Sequence, residues 1–363
     1  MNFTIMRILL LVFFCSFAIS GIKCGSCKKQ ISGQYYIEGS KKYHETCYRE
    51  NIMPKCKHCN KPITGSYIPS KSGSYHEQCY KHNIAPKCGV CSKPLSGSYM
   101  SDASGSYHEV CYKNHVLPKC DACMKPLETQ YGIDSWGNKF HNKHKNRTGI
   151  CSSCSRIVSD RTTNGGFKHS DRRVICNICN SKSIASKSDI EKSRIRVLNK
   201  LQSKGFQGLS NKVPIKVVNR NKLMKLRGGN PDIRGLTDYK YQFSQNSRGE
   251  KIDETKEYVI YILDKMPKIA FDAVLAHEYL HVWLFENNLD YKSSITEGFC
   301  NLGAFAIYDS KDTDFAQIQL QIMNENPDPD YGKGYRGMKK CLDRKGWGKL
   351  IKDVKKGRAR LCR

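Results

Sequence analysis

The chain is short of the features that most often hold a protein together or place it in a bilayer. Acidic residues are scarce, 33 against 61 Lys and Arg, and only 39 % of residues are hydrophobic. After residue 20 no segment is apolar over the roughly 20 positions a spanning helix needs. The usual bundle of membrane helices is therefore excluded. Between residues 21 and 180 leucine and valine are sparse as well. Such a region cannot rest on an oily core and needs staples, either disulfides or metal. The formal charge of +28 points to acidic partners such as nucleic acid, anionic membrane or acidic proteins, without choosing among them. What the chain does have is cysteine, and 16 of its 19 fall before residue 180.

Residues 1–20 have the layout of a secretory signal peptide. One positive charge, Arg7, precedes an apolar run from Ile8 to Ile19, and Ala18 and Ser20 mark a cleavage site before Gly21. Cys15 lacks the small residues that a lipoprotein site would place before it. The mature chain is expected outside the cytoplasm, periplasmic or secreted, where exported cysteines tend to form disulfides.

A repeat of 32 residues argues for metal instead. Cys24, Cys27, His44 and Cys47 recur as Cys56, Cys59, His76 and Cys79, then as Cys88, Cys91, His108 and Cys111. A disulfide framework has no use for a histidine at a fixed offset, whereas zinc takes four thiolate and imidazole ligands. Gly33, Gly65 and Gly97 are placed to turn a hairpin, and Tyr43, Tyr75 and Tyr107 to form a small core beside each metal. A fourth unit reads Cys120, Cys123, His141, His144, and a fifth Cys151, Cys154, Cys176, Cys179, with His169 as an alternative ligand. Five structural zincs are expected. The unit C-x2-C-x16-H-x2-C resembles the first zinc module of LIM domains, which bind proteins through their surfaces. A LIM domain joins two modules by a two-residue spacer, whereas eight residues separate Cys47 from Cys56 here.

Beyond Cys179 the pattern changes. A polar link (181–187) leads to a helix with a capping box at Ser188 and Glu191. Strands are expected at 213–218, 239–243 and 258–263, then helices at 268–286, 294–308 and 315–323, with two basic helical pieces at the end. Residues 274–284 read V-L-A-H-E-Y-L-H-V-W-L. On a helix, His277 and His281 share one face and form a two-ligand clamp for zinc. Glu278 stands beside them as the general base. A catalytic zinc needs a third ligand and an open position. Glu297, in T-E-G-F-C, is the candidate, with Asp290 as runner-up and Gly298 letting the helix approach the metal. Two His and one Glu is the arrangement of thermolysin-like (gluzincin) peptidases. Tyr308 and Tyr335 are candidates to hold an oxyanion, and the strand at 258–263 to pair with an extended substrate.

The expected architecture is α+β. Residues 21–180 form tandem small zinc-ribbon or LIM-like modules, and residues 181–363 a gluzincin-like metallopeptidase domain with one catalytic zinc. The order of parts resembles the plant organ-size-limiting LIM-containing peptidases, the "DA-one" family. The similarity rests on P-K-C-x-x-C at 118–123, C-S-S-C at 151–154, C-N-I-C at 176–179, R-G-L at 234–236, the helix motif at 275–284 and E-G-F-C at 297–300. It implies a zinc endopeptidase with His277, His281 and Glu297 on the metal and Glu278 as base, acting on a limited set of proteins. Relatives of that kind carry ubiquitin-interacting motifs and work inside cells. Here a signal peptide stands in that place, so ubiquitin-dependent regulation is not carried over.

Two other readings compete. One is a non-enzymatic zinc-module adaptor with an inactive peptidase domain, against which the intact His277, Glu278, His281 and Glu297 argue. The other is a basic nucleic-acid-binding protein, which would want stacking aromatics or the ββα finger pattern. Basic residues are instead dispersed, with modest clusters at Lys339–Lys340 and Lys352–Arg360. Outside the array, Cys300 is expected in the core, and Cys341 and Cys362 could pair.

Overall fold

A computed structural model describes residues 21–226, 228, 233–248 and 250–362, and the expected signal peptide lies outside them. Helices mix with small sheets, and the chain divides into two compact units, one ending at Leu117 and one beginning at Pro118. Composition changes near residue 180, but the packing boundary lies at Leu117–Pro118. Among the described residues no helix is long and apolar enough to cross a membrane.

The first unit repeats one small motif. Its antiparallel hairpins are β1 (Tyr36–Glu38) with β2 (Lys41–Tyr43), β3 (Tyr67–Ser70) with β4 (Gly73–His76), and β5 (Met100–Asp102) with β6 (Gly105–Tyr107). A helical turn starts directly after each of His44, His76 and His108. Tyr43, Tyr75 and Tyr107 are buried as expected. The cores are tiny. Ile63 and Tyr75 close over Cys56, and Leu95 and Tyr107 over Cys88. Cores of this size do not stabilise a fold alone.

The glycines depart from expectation. Gly33, Gly65 and Gly97 do adopt positive φ (+98°, +94°, +76°), but they precede the first strand of each hairpin rather than turning it. Each C-x-x-C turn closes with a short bridge, Lys23 to Gln30, Lys55 to Pro62 or Lys87 to Pro94. The chain must then swing from that bridge into the hairpin, and this is where a residue without Cβ is needed.

In the second unit, the fourth and fifth modules carry β7 (Tyr131–Ile133) with β8 (Lys139–His141) and β9 (Gly166–Lys168) with β10 (Val174–Cys176). They are tied to each other and to the rest of the unit. Trp136 Nε1 donates to Cys154 O at 2.6 Å, and its ring packs near Phe315. The polar link is pinned, because Ile184 N donates to Met266 O and Lys268 N to Lys182 O. Arg173, 2 % exposed, donates from Nε to Asp171 Oδ2 at 2.9 Å and from Nη1 to Asp264 O at 2.8 Å, and it pairs with the Asp264 carboxylate. Removing one partner of a buried pair strands the other charge, so Arg173→Met should destabilise this unit by about 3–5 kcal/mol, measurable by urea unfolding. Burial pushes the Asp171 carboxyl up, but Arg173 outweighs it and holds the pKa low. The carboxylate's contribution is therefore complete above its unfolded pKa of about 3.9 and is lost as pH falls through the lower folded value.

Helix α1 (Lys187–Ser203) begins with a capping box, but between Ser186 and Asp189 rather than Ser188 and Glu191. Its Arg196 holds Asp272 with two bonds of 3.0 Å. The sheet has three strands, β11 (Ile215–Val218), β12 (Gly235–Gln245) and β13 (Lys251–Leu263), in the order β11-β13-β12. β11 lies parallel and β12 antiparallel to β13. The expected strand at 258–263 is thus the inner end of a central strand, with both edges occupied, so it cannot take up a substrate. The edge strands are β11 and β12, and β12 is the one that runs beside α2.

Helices α2 (Lys268–Glu286), α3 (Ser293–Tyr308), α4 (Asp314–Glu325) and α5 (Tyr335–Lys355, bent at Gly346) complete the unit. α2 is mainly apolar and is buried from Ala270 to Ala273 and from Leu275 to Leu280, as a helix in the middle of a core must be, with Asp272, His277, Glu278 and His281 as the polar exceptions between its charged ends. Trp283 meets Phe206 and Phe299 at ring distances of 5.3 and 5.8 Å. Cys300 is buried with a free thiol, and Cys341 is bridged to Cys362.

Candidate metal centres and the cleft beside helix α2

Five sets of four side chains gather their ligand atoms within 4.8 Å of one another, and each set could hold a metal ion such as zinc. They are the five sets expected from the spacing: Cys24, Cys27, His44, Cys47; Cys56, Cys59, His76, Cys79; Cys88, Cys91, His108, Cys111; Cys120, Cys123, His141, His144; and Cys151, Cys154, Cys176, Cys179. His169 is not part of the fifth. A tetrahedral zinc, with bonds of about 2.3 Å to sulfur and 2.0–2.1 Å to nitrogen, sets ligand atoms roughly 3.3–3.8 Å apart. His44 Nδ1 lies 3.4 Å from Cys27 Sγ, His76 Nδ1 lies 3.3 Å from Cys59 Sγ, and Cys154 Sγ lies 3.8 Å from Cys176 Sγ.

The histidines are oriented by their other nitrogen. His44, His76, His108 and His141 each donate from Nε2 to a backbone carbonyl, of Gln30, Pro62, Pro94 and Pro126, at 3.0–3.1 Å. That leaves Nδ1 deprotonated and facing the thiols, the usual way of fixing a ligand tautomer. Burial raises the thiols of Cys24, Cys56 and Cys88, but backbone N–H groups of the C-x-x-C turn and the ligand histidine outweigh it and hold each at about 6. These sulfurs are ready to bind as thiolates.

A different cluster forms where α2 crosses α3. His277 Nε2 and His281 Nε2 lie 3.1 Å apart, and Glu297 Oε2 is 3.2 Å from the first and 3.6 Å from the second. His277, Glu278 and Glu297 are all buried. Three donor atoms this close and converging on one point could share a single ion, by the same tetrahedral spacing. Burial alone would raise the Glu297 carboxyl, but the two imidazoles hold it well below the usual carboxylate range. The runner-up ligand, Asp290, lies in the turn between the helices and not in this cluster.

Partners distant in sequence support these groups. Asn301, one turn beyond Glu297, donates from Nδ2 to Tyr331 O at 2.9 Å. This orients its Oδ1 to accept from His277 Nδ1 at 2.9 Å, so that Nε2 is the free ligand nitrogen. The cluster therefore uses Nε2 where His44, His76, His108 and His141 of the modules use Nδ1. Thr237 of β12 places its hydroxyl 2.8 Å from Glu278 Oε2 and 3.1 Å from the Glu278 carbonyl oxygen. A Cβ on Gly235 would sit 2.4 Å from Glu278 Oε1, so only glycine lets the strand pass this close to the carboxylate. Gly235 lies within R-G-L at 234–236, but Asn301, Thr237 and Tyr331 carry no sequence signal, since strand, helix and turn meet only in the fold.

Gly298 has a different use from the one expected. A Cβ there would meet the Gly334 backbone at 2.4 Å. Its absence seats α3 against the π-helical turn Pro329–Gly334, which carries Tyr331, rather than against a metal. Tyr331 stacks 6.2 Å from His277 at 18°. Of the two tyrosines expected at the site, both are buried in the core, and Tyr308 also lines the cleft beside His277 and Glu278 whereas Tyr335 does not. The cleft has two lobes. One of about 230 Å³ contains Thr237, His281 and Glu297, and the other of about 470 Å³ extends toward α4. Both share Gly235, His277, Glu278 and Tyr331. No family model matches this chain, and neither does any curated protein.

Proposed function

We propose that this is an exported zinc-dependent endopeptidase whose LIM-like modules bind protein partners or substrate. The observation that carries the reading is the triangle of His277, His281 and Glu297 donor atoms, 3.1–3.6 Å on a side, with Glu278 on the same helix facing the same cleft. Two histidines and one carboxylate suit zinc, and three protein ligands leave a position open for water or substrate. Zinc bound there supplies Lewis acidity, which makes water easier to deprotonate and polarises a carbonyl.

The chain's own groups do the rest. Glu278 takes a proton from water at Oε1, the oxygen that faces Gly235, while Thr237 holds Oε2. It then delivers the proton to the leaving amine. An extended substrate adds to the open edge of β12, whose first residues run past Glu278, by backbone pairing. Tyr331 and Tyr308 line the walls from which an oxyanion can be held. The motif at 275–284 and E-G-F-C at 297–300 support a relationship to the LIM-containing "DA-one" peptidases, and the signal-like residues 1–20 support export.

Metal counting tests the centre. The purified chain should hold about six zincs, five in the modules and one in the cleft. Glu297→Ala should release one of them and abolish cleavage of an unfolded protein. An unchanged zinc count in Glu297→Ala would remove Glu297 from the site.

A further inference from the structure

R-G-L at 234–236 puts an arginine directly before the glycine that touches Glu278. Arg234 stands where β12 begins, and its side chain reaches the fifth module, with Nη2 donating to Ser152 O at 3.1 Å. The planar guanidinium holds such a contact in one geometry. Ser152 lies between Cys151 and Cys154 in the C-S-S-C turn, and its own N donates to Val174 O at 2.8 Å. The turn is therefore tied on one side to β10, two residues before the ligand Cys176, and on the other to β12. The first module is built differently, since the equivalent carbonyl, of Gly25, accepts from Lys28 of its own turn at 2.9 Å.

At its other end the link meets Glu278, because β12 touches both carboxylate oxygens. A Cβ on Gly235 would come within 2.4 Å of Oε1, and the Thr237 hydroxyl lies 2.8 Å from Oε2. Where the first three residues of β12 stand thus decides where the carboxylate stands. The sheet holds those residues on one side only, by bonds such as Leu263 N to Arg234 O at 2.9 Å, since β12 is an edge strand. Strand ends with so few partners are among the first parts of a fold to open. Arg234 adds an attachment there from outside the sheet. That attachment is as firm as the C-S-S-C turn, which becomes rigid when Cys151 and Cys154 share a metal with Cys176 and Cys179.

We propose that Arg234 is a positioning residue, placed by the backbone of the fifth metal module, and that through Gly235 and Thr237 it fixes Glu278 in the cleft. Metal in the fifth module thereby sets the order of the wall that carries the base. For turnover the inference rests on the peptidase reading above, whereas the link from module to strand stands on the contacts alone.

Arg234→Met keeps an aliphatic stem and removes the donor. In the zinc-loaded full chain, kcat for an unfolded protein should fall by at least about tenfold, because a small misplacement of a reacting group is that costly. KM should stay within about twofold and the zinc count should not change, the pattern of lost transition-state geometry and not of lost binding. A rise in KM at constant kcat would make Arg234 a substrate contact, and loss of zinc would make it a support of the metal. Either result overturns the proposal, as does an unchanged kcat.

Hydrogen exchange, read by mass spectrometry on the peptide covering residues 233–240, tests the link without catalysis. Exchange there should quicken about tenfold in Arg234→Met, and at least as much in Cys179→Ser, which removes one ligand of the fifth module. Should Cys179→Ser fail to fold, Arg234→Met decides, because it leaves all four thiols in place. Unchanged exchange in Arg234→Met overturns the proposal whether or not the wild type cleaves. Quickened exchange in a chain whose wild type cleaves nothing supports the link from module to strand and overturns the peptidase reading.

Discussion

Glu278→Gln is expected to keep every zinc and lose cleavage of an unfolded protein by at least about a hundredfold, the range that general-base removal produces. The reason is positional. Glu278 lies outside the triangle of donor atoms, yet it projects into the same cleft and is held at Oε2 by Thr237. Glutamine preserves the shape and the Thr237 contact but cannot take a proton. Metal content by mass spectrometry and cleavage of a fluorogenic unfolded protein are measured on the same preparation. Retained cleavage would remove Glu278 from the mechanism. Loss of zinc together with cleavage would mean that the residue supports the metal and is not the base.

The second large effect is expected on stripping the metals. At neutral pH a strong chelator should unfold the modules of the first unit, and added zinc should restore them. Structural zinc binding is worth about 10–16 kcal/mol in small zinc-finger peptides at pH 7. Against that, each module core is a few side chains, such as Ile63 and Tyr75 around Cys56. Amide dispersion in NMR spectra and protease sensitivity report the collapse. Thiol titration of the stripped, denatured chain should find the fifteen module cysteines and Cys300 reduced, with Cys341 and Cys362 paired. Modules that stay folded without zinc and lack free thiols would establish disulfide staples instead.

Much of this molecule can be read along the chain. The module ligands are separated by two residues within each pair, and the backbone reaches from one to the next in a single turn. The same holds for His277 and His281, four residues apart on α2, whose bounds match the expected 268–286. Glu297 needed only a helix hairpin, because sixteen residues after His281 the chain has turned and come back alongside. Less legible were the extents of β12 and β13. In β12 the expected segment 239–243 is its outer part and the inner residues 235–238 were missed, whereas in β13 the outer residues 251–257 are mostly polar; pairing of the two strands with each other sets both extents.

The ligand sets, the register of the repeat and the clamp on α2 were determined by the sequence alone, because metal ligation depends on short spacings within one turn or helix. Which strands are the edges, which imidazole nitrogen faces the ligands, and what lines the cleft were decided only by the tertiary structure. Gly235 and Thr237 of β12, Asn301 of α3 and Tyr331 of the turn Pro329–Gly334 come from three elements, and they meet because packing of the apolar faces of α2, α3 and the sheet brings them there. Apart from Gly235 in R-G-L, no local pattern marks these residues, since each is chosen by a neighbour that only the fold supplies.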